Sequence, residues 1–142
     1  MSADGMTDDQ IATILRETRR IALVGASAKP WRASHEVMAF LLGRGFDVTP
    51  VNPVLVGQAL HGRGVVGRLA DAAPLEMVDI FRNSGNAGPV VDAAIRLGAR
   101  VVWMQLGVID QDAAARARAA GLSVVMDRCP VIEDRRLGPF RH

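Results

Sequence analysis

The stretch Ile21-Ala22-Leu23-Val24-Gly25-Ala26-Ser27 constrains this chain more than any other. Four consecutive apolar residues are too few for a helix, and the run opens and closes on a β-branched residue. Both properties predict a strand buried on both faces, as parallel strands are. Gly25 permits a sharp turn, and Ser34 stands where it can cap a helix continuing as His35-Glu36-Val37-Met38-Ala39-Phe40-Leu41-Leu42. A strand, a loop of small residues and a helix N-terminus gather unpaired N–H groups and the positive end of a helix dipole at one spot, which suits an anion. Lys29, the only lysine of the sequence, and Arg32 lie in that loop. The expected ligand carries phosphate.

The rest of the chain repeats the alternation of strand and helix. An amphipathic helix is expected over residues 7–19, where Thr7 and Gln10 have capping-box spacing, followed by the strand at 20–24 and a helix at 34–42. A second strand at 46–51 ends at Asn52-Pro53. Residues 54–67 are glycine-rich and read as loop with one short edge strand, and a short helix spans 68–73. A third strand covers 77–81, with Arg82-Asn83-Ser84-Gly85 as its exit loop and Pro89 as the first residue of the next helix. A strand at 100–104, a helix capped by Asp110 and stopped at Gly121, a strand at 122–126 and a polar surface tail at 130–142 complete the pattern. This pattern predicts an α/β chain: a single Rossmann-like three-layer domain over residues 1–142, with a mostly parallel five- or six-stranded sheet.

In such a sheet the ligand lies beyond the carboxyl ends of the strands, where the winding reverses. With the strand at 20–24 central, Gly25 to Ser34, Asn52 to Val54 and Arg82 to Ser84 surround that point. Gln105 to Gly107 and Asp127 to Cys129 would form a far wall. Trp103 and Gln105 themselves read as packing and loop structure, and His35, one residue past Ser34, as an exposed helix position.

Composition excludes several classes. Lys and Arg total 17 against 15 Asp and Glu, and the arginines are scattered rather than clustered with aromatics, which argues against nucleic acid. There is no run of eighteen apolar residues and no basic-then-apolar leader, so no membrane association and a cytoplasmic address are expected. One cysteine, Cys129, excludes an internal disulfide framework and a structural zinc cluster. A dinucleotide fingerprint would need glycines where Ser27 and Pro30 stand. It would also need an acid where Val51-Asn52-Pro53 closes the second strand. An NAD(P)-binding oxidoreductase is therefore only an alternative. No catalytic constellation is visible, and a non-enzyme is expected.

Several motifs in one order carry a resemblance: V-G-A-S followed by K-P, the V-N-P turn, V-D-I-F-R-N, W-M-Q-L-G-V and M-D-R-C-P. Together, over about residues 10–138, they closely resemble the small stand-alone CoA-binding proteins. They are similar more distantly to the CoA-binding N-terminal domain of the succinyl-CoA synthetase α subunit and of ADP-forming acyl-CoA synthetases. The resemblance implies coenzyme A lying across the carboxyl ends of the strands. Gly25, Ala26 and Ser27 match the loop meeting the CoA phosphates, with Pro30 and Ser34 in the same segment. Lys29 and Arg32 match positions offering charge. Asn52 and Pro53 match the turn beside the adenosine, and Phe81, Arg82 and Asn83 match the segment closing the other side. Many relatives carry a lysine after V-N-P, where this chain has Val54 and Leu55.

Cys129 has two readings, an inert packed thiol or a reactive one that faces the CoA thiol and forms a mixed disulfide. In the synthetases the chemistry needs a phosphohistidine on a further domain. The implied function is therefore non-catalytic binding of CoA or acyl-CoA. The alternative is a CoA-binding subunit of a separately encoded ligase or acyltransferase, with either a homodimer or such a partner subunit as its assembly.

Overall fold

A computed structural model describes residues 2–142. In chain order the elements are α1 (Asp8–Glu17), β1 (Arg20–Val24), α2 (Ala33–Gly43), β2 (Asp47–Val51), β3 (Ala59–Leu60), β4 (Arg63–Gly64), a 3-10 turn (Leu69–Ala72), β5 (Met77–Ile80), α3 (Ser84–Arg96), β6 (Val101–Met104), α4 (Gln111–Ala119), β7 (Ser123–Val125) and α5 (Pro130–Leu137). Five strands form one parallel sheet in the order β2-β1-β5-β6-β7, and β3 and β4 pair as a separate two-residue antiparallel hairpin. The chain steps from β1 outward to β2, returns past β1 to β5 and continues to β6 and β7. The winding therefore reverses between β1 and β5, and a crevice opens at their carboxyl ends.

Period-two alternation divides the core into two layers. Ile21 and Leu23 of β1, Met77 of β5, and Val101 and Trp103 of β6 face the layer covered by α1, α2 and the C-terminal segment. Ala22 and Val24, Val78 and Ile80, and Val102 and Met104 face α3, α4 and the 3-10 turn. α1 carries the expected capping box, with Thr7 Oγ1 accepting from the Gln10 amide and Gln10 Oε1 from the Thr7 amide, and it buries Ile11, Ile14 and Leu15. Asp110 caps α4 as its spacing predicts, accepting from the Ala113 amide at 3.0 Å.

Three expectations are corrected. Helix α3 starts at Ser84, because Asn83 Oδ1 accepts from the Asn86 amide at 3.0 Å and caps it five residues before Pro89 would. Pro89 rides inside the helix, where it forfeits one bond, to the carbonyl of Gly85. Ser34 does not cap α2: Arg32 occupies that position without a side-chain cap bond, and Ser34 is buried in the first turn. The segment from Pro130 is no surface tail. It forms α5, whose Glu133 and Asp134 are buried in ion pairs with Arg128 and Arg44, and Phe140 closes the core behind it. Residues 54–67 hold the β3–β4 hairpin, and Val66 bridges to Val51.

Candidate functional site

The crevice at the β1–β5 switch is a cavity of about 550 Å³, within the range of small-molecule sites. Gly25 forms its rear corner with φ of +91°, and a Cβ there would collide with the carbonyl of Phe81. Only glycine lets the exit of β1 lie this close to the exit of β5. The Phe81 amide donates to the Val24 carbonyl at 2.8 Å and the Gly25 amide to Val51 at 3.1 Å, so all three strand exits are tied together. Asn52 secures the third, donating from Nδ2 to the Ala26 carbonyl at 2.8 Å and accepting from the Val54 amide at 2.9 Å.

Two helices aim their N-termini at this space. Ala33 and Ser34 open α2, and Asn83 and Asn86 stand at the start of α3. No side chain caps α2, so the leading N–H groups of an 11-residue helix face the cavity. Lys29, Arg32 and Arg82 add three cations to this end. Among the described residues none of the three is ion-paired; Arg16, Arg19, Arg96, Arg118, Arg135 and Arg141 are unpaired too, and it is the convergence on one cavity that sets Lys29, Arg32 and Arg82 apart. Lys29 lies over the Trp31 ring at 6.0 Å, and that ring is 76% exposed. Positive charge without a partner, beside two dipole ends, suits an anion.

A larger hollow of about 760 Å³ lies at the opposite edge of the sheet, near the carboxyl ends of α3 and α4 and lined by Asp9, Glu17 and Glu76. Helix carbonyl ends and carboxylates give it the wrong sign for phosphate, so volume alone does not locate the site.

The residues expected at the site separate as follows. Gly25, Ala26, Ser27, Lys29, Arg32, Ser34, Asn52, Phe81, Arg82 and Asn83 line the cavity together. Pro53 lines an adjoining apolar hollow of about 220 Å³ on the far side of Gly25 and Arg82, with Val51, Leu69 and Pro89. Pro30 lines neither, and neither does Cys129, which sits at the N-cap of α5 and packs against the core. His35 is turned away from the cavity. Its Nδ1–H donates to the Ser27 carbonyl at 2.9 Å, and its ring lies 4.2 Å from that of His61.

The expected far wall is real but differently built. Gln105, Leu106 and Val108 form it, braced from behind by Asp127 Oδ1, which accepts from the Gly107 amide at 2.7 Å. Asn86 was not expected, although its place three residues after the Asn83 cap was the available signal. One pleat behind Phe81, Asp79 is wholly buried with neither carboxylate oxygen hydrogen-bonded, and burial pushes its pKa well above the ordinary value.

Fold and crevice define a Rossmann-like domain with a cationic, amide-lined pocket at its topological switch point. The sequence profile of the CoA binding domain (CoA_binding_2) matches residues 19–135, and the chain belongs to that family. It is similar to the uncharacterized protein YneT of Bacillus subtilis, 32% identical over 120 residues that cover 84% of this chain and 88% of that protein. Among solved structures it is similar to a hypothetical protein from Pyrococcus horikoshii OT3, 40% identical with a TM-score of 0.89 over 96% of each chain. It is also similar to cell-free ID.343 from Thermus thermophilus, 32% identical with a TM-score of 0.87 over 93% of this chain and 99% of that one.

Proposed function

We propose that this protein holds coenzyme A or an acyl-CoA at the β1–β5 crevice without transforming it. The observation that carries the reading is the convergence of Lys29, Arg32 and Arg82, none of them ion-paired among the described residues, with the leading amides of α2. A ligand with a diphosphate and a further phosphate monoester satisfies that charge. The apolar hollow beside Pro53 suits a flat purine ring, and the main cavity continues away from it toward Gln105. A holding role is supported by the nearest imidazole, His35, being committed to the Ser27 carbonyl and the His61 ring rather than to the cavity.

The test is calorimetric titration of CoA into the wild-type chain and into the double variant Lys29→Ala, Arg32→Ala. Charge-assisted hydrogen bonds are worth about 1.5–3 kcal/mol each where solvent is excluded and less at this exposed rim, so the pair is expected to cost at least tenfold in affinity. Unchanged affinity removes the loop from the site. NADH and NADPH, titrated in parallel, are expected to bind far more weakly than CoA.

A further inference from the structure

Gln105 is the feature of this crevice that the phosphate-binding reading does not use. It lines the cavity and is only 6% exposed, and its side-chain amide makes no hydrogen bond among the described residues: Oε1 is sealed from the cavity, and the Nε2–H2 end keeps the accessible surface. Its backbone is fixed: the Gln105 amide donates to the Ile80 carbonyl at 3.2 Å, and its own carbonyl accepts from the Val108 amide at 2.8 Å. The side-chain amide is left as a rigidly mounted group with neither polar atom paired. A largely buried amide without a partner is destabilising, so a site that retains one is placed to pair with a polar group of whatever fills the cavity.

We infer that the Gln105 side-chain amide donates from Nε2 to an amide carbonyl of the ligand's pantetheine arm, making Gln105 the residue that distinguishes CoA from its nucleotide half. This rests on the CoA reading above, and the spacing supplies the argument. β1, β5 and β6 are consecutive in the sheet, and neighbouring strands lie about 4.8 Å apart, so the end of β6 stands roughly 10 Å from the phosphate loop at the end of β1. An extended covalent chain advances roughly 3.5 Å for every three bonds, which puts the two amide nitrogens of the arm about 7 and 12 Å from the diphosphate and its sulfur about 15 Å away. The end of β6 therefore meets the amide-bearing middle of the arm, short of the thiol. The walls agree: Leu106 and Val108 flank Gln105 and offer apolar contact to the methylenes between the amides.

The experiment titrates CoA and adenosine 3′,5′-bisphosphate, which lacks the arm, into wild type, Gln105→Leu and Gln105→Met. The expected result is that wild type binds CoA more tightly than the bisphosphate, and that both variants lose roughly tenfold for CoA, the cost of stranding one ligand amide. Both are expected to bind the bisphosphate within twofold of wild type. CoA affinity unchanged in the variants overturns the inference, as does equal weakening toward both ligands. A wild-type chain that binds the two ligands equally well overturns it without any variant, while leaving the phosphate site standing. Wild type that binds neither ligand instead removes the CoA reading itself.

Discussion

Asp79 sets up a stability measurement whose sign is fixed by the structure. It sits in the middle strand of the sheet, paired in register with Leu23 on one side and Trp103 on the other, and it is 0% exposed. The polar hydrogen nearest in register is already spent, because Trp103 Nε1–H donates to the Arg128 carbonyl at 2.8 Å. Neither carboxylate oxygen has a partner, so burial drives the native pKa well above 3.8. The folded chain then holds this proton more tightly than the unfolded chain. Between the unfolded value and the raised native one, the native state carries more protons, and stability falls as pH rises, by about 1.4 kcal/mol per pH unit. Well below 3.8 both states are protonated and the effect vanishes.

Asp79→Asn keeps the shape and removes the titration. Urea melts of wild type and variant from pH 4 to pH 8 are expected to give a stability difference that grows in the variant's favour at about that slope, then flattens once pH passes the native pKa. A difference that does not change with pH refutes the reasoning. A wild type that gains on the variant as pH rises shows an ionised, paired Asp79.

Two further perturbations follow. Arg128 donates to Asp4 from Nε and Nη2 and to Glu133 from Nη1, and both carboxylates are almost wholly buried; Arg128→Met leaves Asp4 with only the Met6 and Met126 amides, while Glu133 keeps Arg136. The expected loss is about 3 kcal/mol at neutral pH, partly recovered by adding Asp4→Asn, and an unchanged melting temperature contradicts it. Val54 is 84% exposed just past the Asn52 turn, so Val54→Lys is expected to tighten CoA binding a few-fold at low salt, with the gain fading as ionic strength rises. Equal affinity at low salt places Val54 beyond reach of any phosphate.

Much of the fold was legible because apolar runs bounded by glycine leave few choices. β1 spans the expected residues, and α1 and α4 start at the expected caps. The C-terminal segment was illegible because its polar residues find partners distant in sequence. Residues 130–142 look like surface, yet Asp134 pairs with Arg44, ninety positions away, and its other oxygen accepts from the Phe140 amide, which docks the C-terminus. The start of α3 failed on local competition instead: a proline is a strong helix-start signal, but the Asn83 cap already satisfies the first turn five residues earlier.

The site shows the same division. Its cationic end was readable from Gly25, Ser27, Lys29 and Arg32, which line the crevice together, because cations and small residues beside a helix start are a local pattern. Its far end was not, since Gln105 follows the apolar strand β6 and Asp79 lies inside β5, where periodicity makes each look like a packing position. In both cases the sequence shows a polar residue at a buried place, and only the three-dimensional surroundings show whether it is answered. Glu133 and Asp134 are answered by arginines, Asp79 by burial that raises its pKa and favours the neutral form, and the Gln105 side-chain amide by nothing among the described residues. A buried acid can lower its own cost by taking up a proton, but an amide has no such recourse. That difference makes Gln105, rather than Asp79, the group whose open Nε2 end is left to pair with a ligand.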